Sequence, residues 1–485
     1  MKSRIVKGPR VRAIALAVGA FALSSLVFAS SSFAAAPPAG TACQASDGKI
    51  NGRGATFQTD AQQKALIPGY TSDVCGPVTS DTDAGVNMIA SNYAAAVAAG
   101  ATGSGAGQKA ALCRTDAFSG TDIPYTEAVM GYPHPAPAGS IDGPVMTPGT
   151  SPCNIAFSPP FQPTPGPWPN AADTQADAMS FPVAGSSVAI GVNLTAADCG
   201  GTAPGSLNLT LANVSALFGG SQINWNDPSL TANNPSLVNC NVPVQRVVRL
   251  DNSGTTETFK HYLQGGLADS NGTTALCDAS TWNSVVAAGD TANNNSNWPT
   301  GASCSNLVKG ASSGAPALLT ALQGTDGGVG YADFADWASN AAPESLDALQ
   351  NSTATSFVTP GSGSAANCAF TGATMPGTTA AQAVGLDGSG ANWATDAASN
   401  KSNVTFKGTG YPACGFTWDL VFTHLNDGSV ANPNTRLTAD QRRTMYSYFT
   451  YVLSPAAQAR LPLNGYASLP GSFLTRLRQG FQGNF

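Results

Sequence analysis

Apolar residues recur along this chain with two different spacings, and the places where the spacing changes outline its elements. Val188 to Leu194 and Val244 to Val248 are short apolar runs of strand length. Leu209 to Phe218 and Pro316 to Gln323 carry apolar positions at helical spacing, as do Phe259, Tyr262 and Leu263 beyond the second strand. Asn224-Trp225-Asn226-Asp227 closes one such unit, and Gly327 to Tyr331 reads as a tight turn into a short strand. Thr438 and Gln441 have the spacing of a capping box, and Met445, Tyr448, Phe449 and Val452 follow as an apolar stripe until Ser454-Pro455 stops the helix. Strands alternating with helices over this length predict an α/β fold with a largely parallel sheet, and no repeat at solenoid spacing is present.

Three stretches interrupt that pattern. Residues 126–180 hold 12 of the 33 prolines, which excludes long regular elements and predicts an inserted loop, tied down through Cys153. Residues 268–312 are polar and rich in Asn, with Cys277 and Cys304 placed to staple a loop. Residues 350–410 are rich in Ser, Gly, Ala and Thr, a composition that predicts surface decoration.

The N-terminus changes the picture of where the protein works. Lys2, Arg4, Lys7, Arg10 and Arg12 precede an apolar stretch from Ala13 to Ala29, and Ser32-Phe33-Ala34 fits a small-x-small cleavage site. Residues 1–34 therefore read as a signal peptide, and the mature protein as periplasmic or secreted. Cleavage would leave 17 basic against 28 acidic residues, a net charge near −11. Such a chain has no electrostatic footprint for nucleic acid, and it attracts anions only through local, fixed positive groups. Ten cysteines, at 43, 75, 113, 153, 199, 240, 277, 304, 368 and 414, lie beyond the leader. An even number in an exported chain, with no C-x-x-C pair, indicates disulfides rather than metal ligands. Spacing does not determine connectivity; pairing in chain order, which closes local loops, is the expectation.

The candidate chemistry centres on Arg249-Leu250-Asp251-Asn252-Ser253-Gly254-Thr255, between a strand and a helix. A small-residue turn at a helix start leaves backbone N–H groups without partners, the helix dipole places partial positive charge there, and Arg249 adds a guanidinium fork. That is an anion cradle. Gly52-Arg53-Gly54-Ala55-Thr56-Phe57 is a second glycine turn entering a helix, and Gly103-Ser104-Gly105-Ala106-Gly107 a third. Eighteen residues past Ser104 comes Asp122, in Ser119-Gly120-Thr121-Asp122-Ile123-Pro124.

In this order the four segments resemble the phosphate-binding protein of the ABC-type phosphate importer. Phe181-Pro182, Phe218-Gly219-Gly220 with Trp225-Asn226-Asp227, Trp298-Pro299, Gly328 to Tyr331, and Tyr466 to Pro470 fall in the same family order. The resemblance implies a two-lobed α/β architecture, type II among periplasmic binding proteins, with crossing strands between lobes and a ligand cleft. It implies lobe I at 35–187 plus 412–485 and lobe II at 188–411. Thr56, Phe57, Ser104 and Asp122 would come from lobe I, and Arg249, Ser253, Gly254 and Thr255 from lobe II, with Asp251 holding Arg249. The cargo would be inorganic phosphate, passed by a monomeric receptor to a membrane ABC permease.

Asp122 is the odd member of an anion site. Phosphate near neutral pH keeps a proton that needs an acceptor, whereas sulfate has none to offer. A mismatch of this kind costs ~1–3 kcal/mol, more for a charged group, a factor of about ten to a few hundred in affinity. Asn252 stands where the family often has glycine, and asparagine tolerates the left-handed backbone. Glu257, in the first helical turn, adds negative charge close by, and the long insertions leave the partner surface open. The three histidines, His134, His261 and His424, have no metal-ligand spacing, and no H-E-x-x-H, Gly-x-Ser-x-Gly or Walker A lysine occurs. A binder without cofactor is the reading; a secreted phosphatase or phosphate-scavenging relative, or a surface adhesion module, is the alternative.

Overall fold

The computed structural model describes residue 50, residues 52–75, 103, 104, 107, 116–122, 178–219, 224–251, 253–267, 298, 307–309, 314–340, 346–362, 365–368, 373–385, 393, 408–422 and 439–485. The leader, nearly all of the proline-rich stretch, and most of 268–312 with Cys277 and Cys304 lie outside the described residues.

Twelve strands are described: β1 (Gly52–Gly54), β2 (Phe118–Thr121), β3 (Ala178–Asn193), β4 (Asn208–Leu209), β5 (Gln245–Val248), β6 (Leu307–Lys309), β7 (Gly328–Asp333), β8 (Ala348–Gln350), β9 (Phe357–Val358), β10 (Gly361–Ser362), β11 (Ala365–Ala366) and β12 (Cys414–Phe422). Seven form one sheet in the order β1-β2-β12-β3-β7-β5-β6. Its two ends are parallel, β1 with β2 at one and β5 with both β7 and β6 at the other. Its middle is antiparallel, because β12 pairs with both β2 and β3, and β3 pairs with β7. The expectation of a largely parallel sheet is corrected accordingly. A chain that crosses from one half to the other and returns lays its two crossing segments side by side in opposite directions, and no crossover helix separates them.

β3 organises the sheet. Its 16 residues begin at Ala178, inside the stretch expected to be irregular. Up to Ser187 they pair with β12, and from Val188 onward with β7. The change of partner is held from both sides: Val188 N–H donates to the Ala413 carbonyl at 2.7 Å, and the Tyr411 hydroxyl donates to the Val188 carbonyl at 3.0 Å. Gly185 exchanges backbone bonds with Ala467, fastening the Tyr466–Pro470 turn to the same strand.

The predicted elements occur close to their expected places, as helices Leu211–Gly219, Gly254–Leu267, Ala315–Gln323 and Ala439–Val452. Met445, Tyr448, Phe449 and Val452 are all fully buried. Tyr448 and Phe449 meet Phe118, Phe181 and Phe481 in edge-on and tilted aromatic contacts that join three distant parts of the chain. Residues 350–410 are not surface decoration throughout. Val384 accepts a backbone bond from Ser180 at 2.8 Å, Trp393 is 1% exposed and donates to Ala383, and Cys368 is bonded to Cys414 at the start of β12. Cys199 is bonded to Cys240, so both disulfides among the described residues follow chain order.

Two fully buried carboxyls shape the pH response of this frame. Burial pushes Asp347 up to about 8, against one bond from the Leu207 N–H. Burial likewise pushes Asp419 up to about 8, against the amides of Gln58 and Gln62. The folded state therefore holds more protons than the unfolded chain between about pH 4 and about pH 8, and stability must fall as pH rises through that window. Thermal melting measured across it should show the midpoint declining toward the upper end, with a smaller decline in Asp347→Asn; a midpoint that rises with pH would contradict the assignment.

Candidate functional site

Each predicted site residue lies within the described part of the chain. Ala55 N–H bonds to the Gly120 carbonyl at 3.0 Å, and Gly103 N–H to the Gly54 carbonyl at 3.1 Å, so the glycine turns of the first segments are packed onto the end of β2. Gly54 has φ of 155°, and a Cβ there would lie 1.8 Å from the Gly120 carbonyl oxygen. No other residue fits that approach. Helical structure starts at Thr56–Asp60 and continues through a wider-turned Ala61–Leu66 into Ile67–Tyr70, where Pro68 lacks an N–H to donate. Gln58 N–H is the first to reach a carbonyl inside this run, at Ala55, which leaves the Thr56 and Phe57 N–H groups at its open end. Tyr466 donates to the Phe57 carbonyl at 2.7 Å and fixes that turn from below.

On the other side, β5 delivers Arg249 at 2% exposure. Asp251 takes one edge of the guanidinium, with Nε to Oδ1 at 2.8 Å and Nη2 to Oδ2 at 2.6 Å. Nη1 is buried with no partner among the described residues, so the opposite edge of the fork is unengaged. Burial works against the charge of Arg249, and Asp251 more than restores it, raising the guanidinium above its ordinary value. Asp251 is held in turn by the Gly314 N–H at 3.3 Å, and Gly314 lies beside the Thr56 methyl.

Ser253 caps the helix Gly254–Leu267 by accepting from Thr256 N–H at 3.2 Å, while its carbonyl accepts from Glu257 N–H at 3.0 Å. The Gly254 and Thr255 N–H groups precede any intrahelical acceptor. The Thr255 hydroxyl is buried and has no partner among the described residues. Thr256 meets the Tyr331 hydroxyl at 2.6 Å, and the ring of Tyr331 stacks on Phe259 at 4.6 Å within a cluster that includes Phe218 and Trp298. Aromatic landmarks scattered along the sequence thus converge to seat one helix start.

The two groups of residues meet directly. A Cβ on Gly254 would lie 2.2 Å from the Ser104 hydroxyl and 2.4 Å from the Asp122 Cβ. Ser104 and Asp122 form a closed pair: the Asp122 N–H donates to Ser104 Oγ at 2.9 Å, and that hydroxyl donates to Asp122 Oδ2 at 2.9 Å. Asp122 Oδ1 accepts from the Thr417 hydroxyl at 2.8 Å. Burial pushes Asp122 up to about 7, with Thr417, Ser104 and Arg249 pulling it down and Asp333 pushing it further up. Asp333 and Asp336 are raised as well, by burial first and, for Asp336, by Asp333 beside it.

Two features went unread in the sequence. The Ser104 hydroxyl, expected to face an anion, has its single proton committed to Asp122. Thr417 had no motif around it, and only the pairing of β12 with β2 brings it to Asp122. Glu257, flagged as a negative neighbour, is buried at the first helical turn.

A family model described as PBP superfamily domain matches residues 170–455. The "Phosphate-binding protein PstS 3" of Mycobacterium leprae is 41% identical over 58 residues, which is 12% of this chain. The matched stretch spans only 16% of that relative. Among solved structures, a human phosphate binding apolipoprotein superposes with a TM-score of 0.53 at 15% identity, covering 89% of this chain and 93% of the other. A high affinity periplasmic phosphate-binding protein bound with phosphate gives 0.51 at 18% identity over the same shares. At such identity the likeness shows the fold, a two-lobed α/β architecture of the type II periplasmic binding kind. With the family match covering more than half its length, the chain belongs to the PBP superfamily.

Proposed function

We propose that this protein is an exported receptor that binds inorganic phosphate between its lobes and delivers it to a membrane ABC permease. It is a binding protein, not an enzyme, working as a monomer in the periplasm or outside the cell. The lobes are 35–187 with 412–485, and 188–411, divided where β3 changes partner. The observation that carries the reading is a pair of buried donors without partners among the described residues, Arg249 Nη1 and Thr255 Oγ1, beside a helix start that touches Asp122. Buried polar atoms left unpaired are costly, and a tetrahedral oxyanion satisfies both.

Each residue then has a role. The free edge of Arg249 makes a charge-assisted bond while Asp251 fixes its plane. Gly254 and Thr255 donate through the backbone, and Thr255 and Ser253 through hydroxyls; the Ser253 oxygen accepts in the cap, and its proton has no acceptor among the described residues. Thr56 and Phe57 donate from the opposite helix start. Asp122 accepts the proton of the phosphate. Ser104 has one proton, which stays on Asp122 or turns to the anion when the ligand supplies its own. Closure is a hinge motion about the crossing strands.

Calorimetric titration with phosphate and with sulfate is the direct test. Phosphate should bind, and Arg249→Ala should weaken both anions by about tenfold or more. Asp122→Asn should instead narrow the gap between them. Equal losses for both anions in both variants would remove the proton-acceptor role, and no heat with phosphate would remove the receptor reading. Release of phosphate from a monoester, abolished by Arg249→Ala, would favour the phosphatase alternative.

The pH dependence carries a definite sign. Ionised Asp122 accepts from phosphate and repels sulfate; protonated Asp122 donates to sulfate. Since Asp122 titrates near about 7, the preference for phosphate over sulfate should rise by up to about tenfold per pH unit above that value and level off below it. Asp122→Asn should lose this slope. A third variant, Gly254→Val, places a side chain where Ser104 and Asp122 already sit, so it should lose phosphate binding by about a hundredfold and lower the melting temperature as well.

A further inference from the structure

Selection by Asp122 requires its carboxylate to be held in one orientation, with one oxygen pinned and the other left to donors that exchange. Ser104 occupies Oδ2. The second donor is Thr417, on a strand whose sequence drew no functional reading, 295 positions further along the chain. Its placement follows from strand register. Trp418 stands opposite Thr121 in the antiparallel pairing of β12 with β2, which sets Thr417 level with Asp122. On the other flank, β12 slips by one residue against β3 between Thr417 and Trp418, with Val183 left over. A bulge of this type re-aims the side chains beside it. Thr417 is fully buried, while its neighbours Phe416 and Trp418 pack with each other. Its one proton has two acceptors in reach, the Thr121 carbonyl at 3.4 Å and Asp122 Oδ1 at 2.8 Å, and the shorter contact takes it.

Resting on the phosphate-receptor reading, we infer that Thr417 is a positioning and specificity-determining residue: its hydroxyl pins Oδ1 of Asp122, so that the ligand-facing acceptor of that carboxylate is fixed and its ionised form is favoured. Other groups among the described residues also face Asp122. They are the Ser104 hydroxyl, Asp333 at the end of β7, Arg249 beyond β5, and the start of the helix at Gly254. Asp333 raises the proton affinity of Asp122, Arg249 and Ser104 lower it, and Thr417 is the stronger of the two hydroxyl donors in this respect. A hydroxyl on a buried carboxylate favours the ionised form, and deleting it leaves burial less opposed.

The test is calorimetry of the mature protein with phosphate and with sulfate from about pH 6 to about pH 9, in wild type, Thr417→Val and Thr417→Ser. Valine keeps the shape and deletes the donor; serine keeps the donor. In Thr417→Val the midpoint of the phosphate-over-sulfate preference should move upward by about one pH unit, and Thr417→Ser should stay at the wild-type position. If Thr417→Val does not fold, Thr417→Ala carries the same expectation. An unmoved midpoint in a folded donor-deleted variant overturns the assignment, as does a shift equally large in Thr417→Ser, which would mark a packing effect. A wild type that binds phosphate with no pH-dependent preference removes the role of Asp122 and this assignment with it. A wild type that binds no phosphate removes the receptor reading itself.

Discussion

Two ionisable groups of opposite sign taken out of water close to one another are the constraint on which the rest of this structure depends. Arg249 and Asp122 are both almost fully buried, and neither could stay charged in a bare apolar interior. Each is therefore supplied with its own partners. Arg249 has Asp251, itself held by a backbone N–H, and Asp122 has two hydroxyls and the start of a helix. Neither is bonded to the other, which leaves one edge of the guanidinium without a partner among the described residues and the carboxylate to two hydroxyls. In the proposed receptor, a direct Arg249–Asp122 bridge would stabilise the ligand-free site and close it to an anion.

The glycines serve the same constraint from the backbone side. Gly54 lets one turn lie on the Gly120 carbonyl, and Gly254 lets a helix start reach the Ser104 and Asp122 side chains without an intervening Cβ. Behind Gly254 the helix is anchored by rings. Tyr331 bonds Thr256 and stacks on Phe259, so the N–H groups at the helix start are set by packing against β7. Oriented dipoles and the Arg249 guanidinium supply local positive potential in a chain that is acidic overall.

What was legible in the sequence was what is local. The turn from Arg249 to Thr255 announces its chemistry within seven residues, and the stripe from Met445 to Val452 announces its burial within eight. Glycine-rich entries to helices at Thr56 and the acid at Asp122 were legible as parts, and their meeting followed only from family order. The illegible features are those set by register between distant segments. Thr417 is an ordinary β-branched residue in a strand, and its value as a donor depends on which residue of β2 stands beside it. Residues 350–410 misled for a related reason. A sparse sprinkling of apolar groups, Val384 and Trp393 among them, has no periodicity to detect, yet each finds a place in the core once the Cys368–Cys414 bond returns the chain to β12. The antiparallel middle of the sheet was likewise invisible, because alternating strands and helices state composition and not direction.

The commitment of the Ser104 proton to Asp122 bears on how such a site could reject the wrong anion before it closes. In the pair seen here the hydroxyl donates to the carboxylate and accepts from the Asp122 N–H, a loop that needs no ligand. An arriving anion with its own proton can replace the serine as a donor to Asp122, which frees that hydroxyl to turn and donate in its place. The number of hydrogen bonds is then conserved at each step. An anion without a proton offers no such exchange: turning the serine would leave a buried carboxylate oxygen short of a donor, and leaving it in place would deny the anion a contact. In the proposed receptor, selection is then a matter of counting protons between two oxygens 2.9 Å apart, Ser104 Oγ and Asp122 Oδ2.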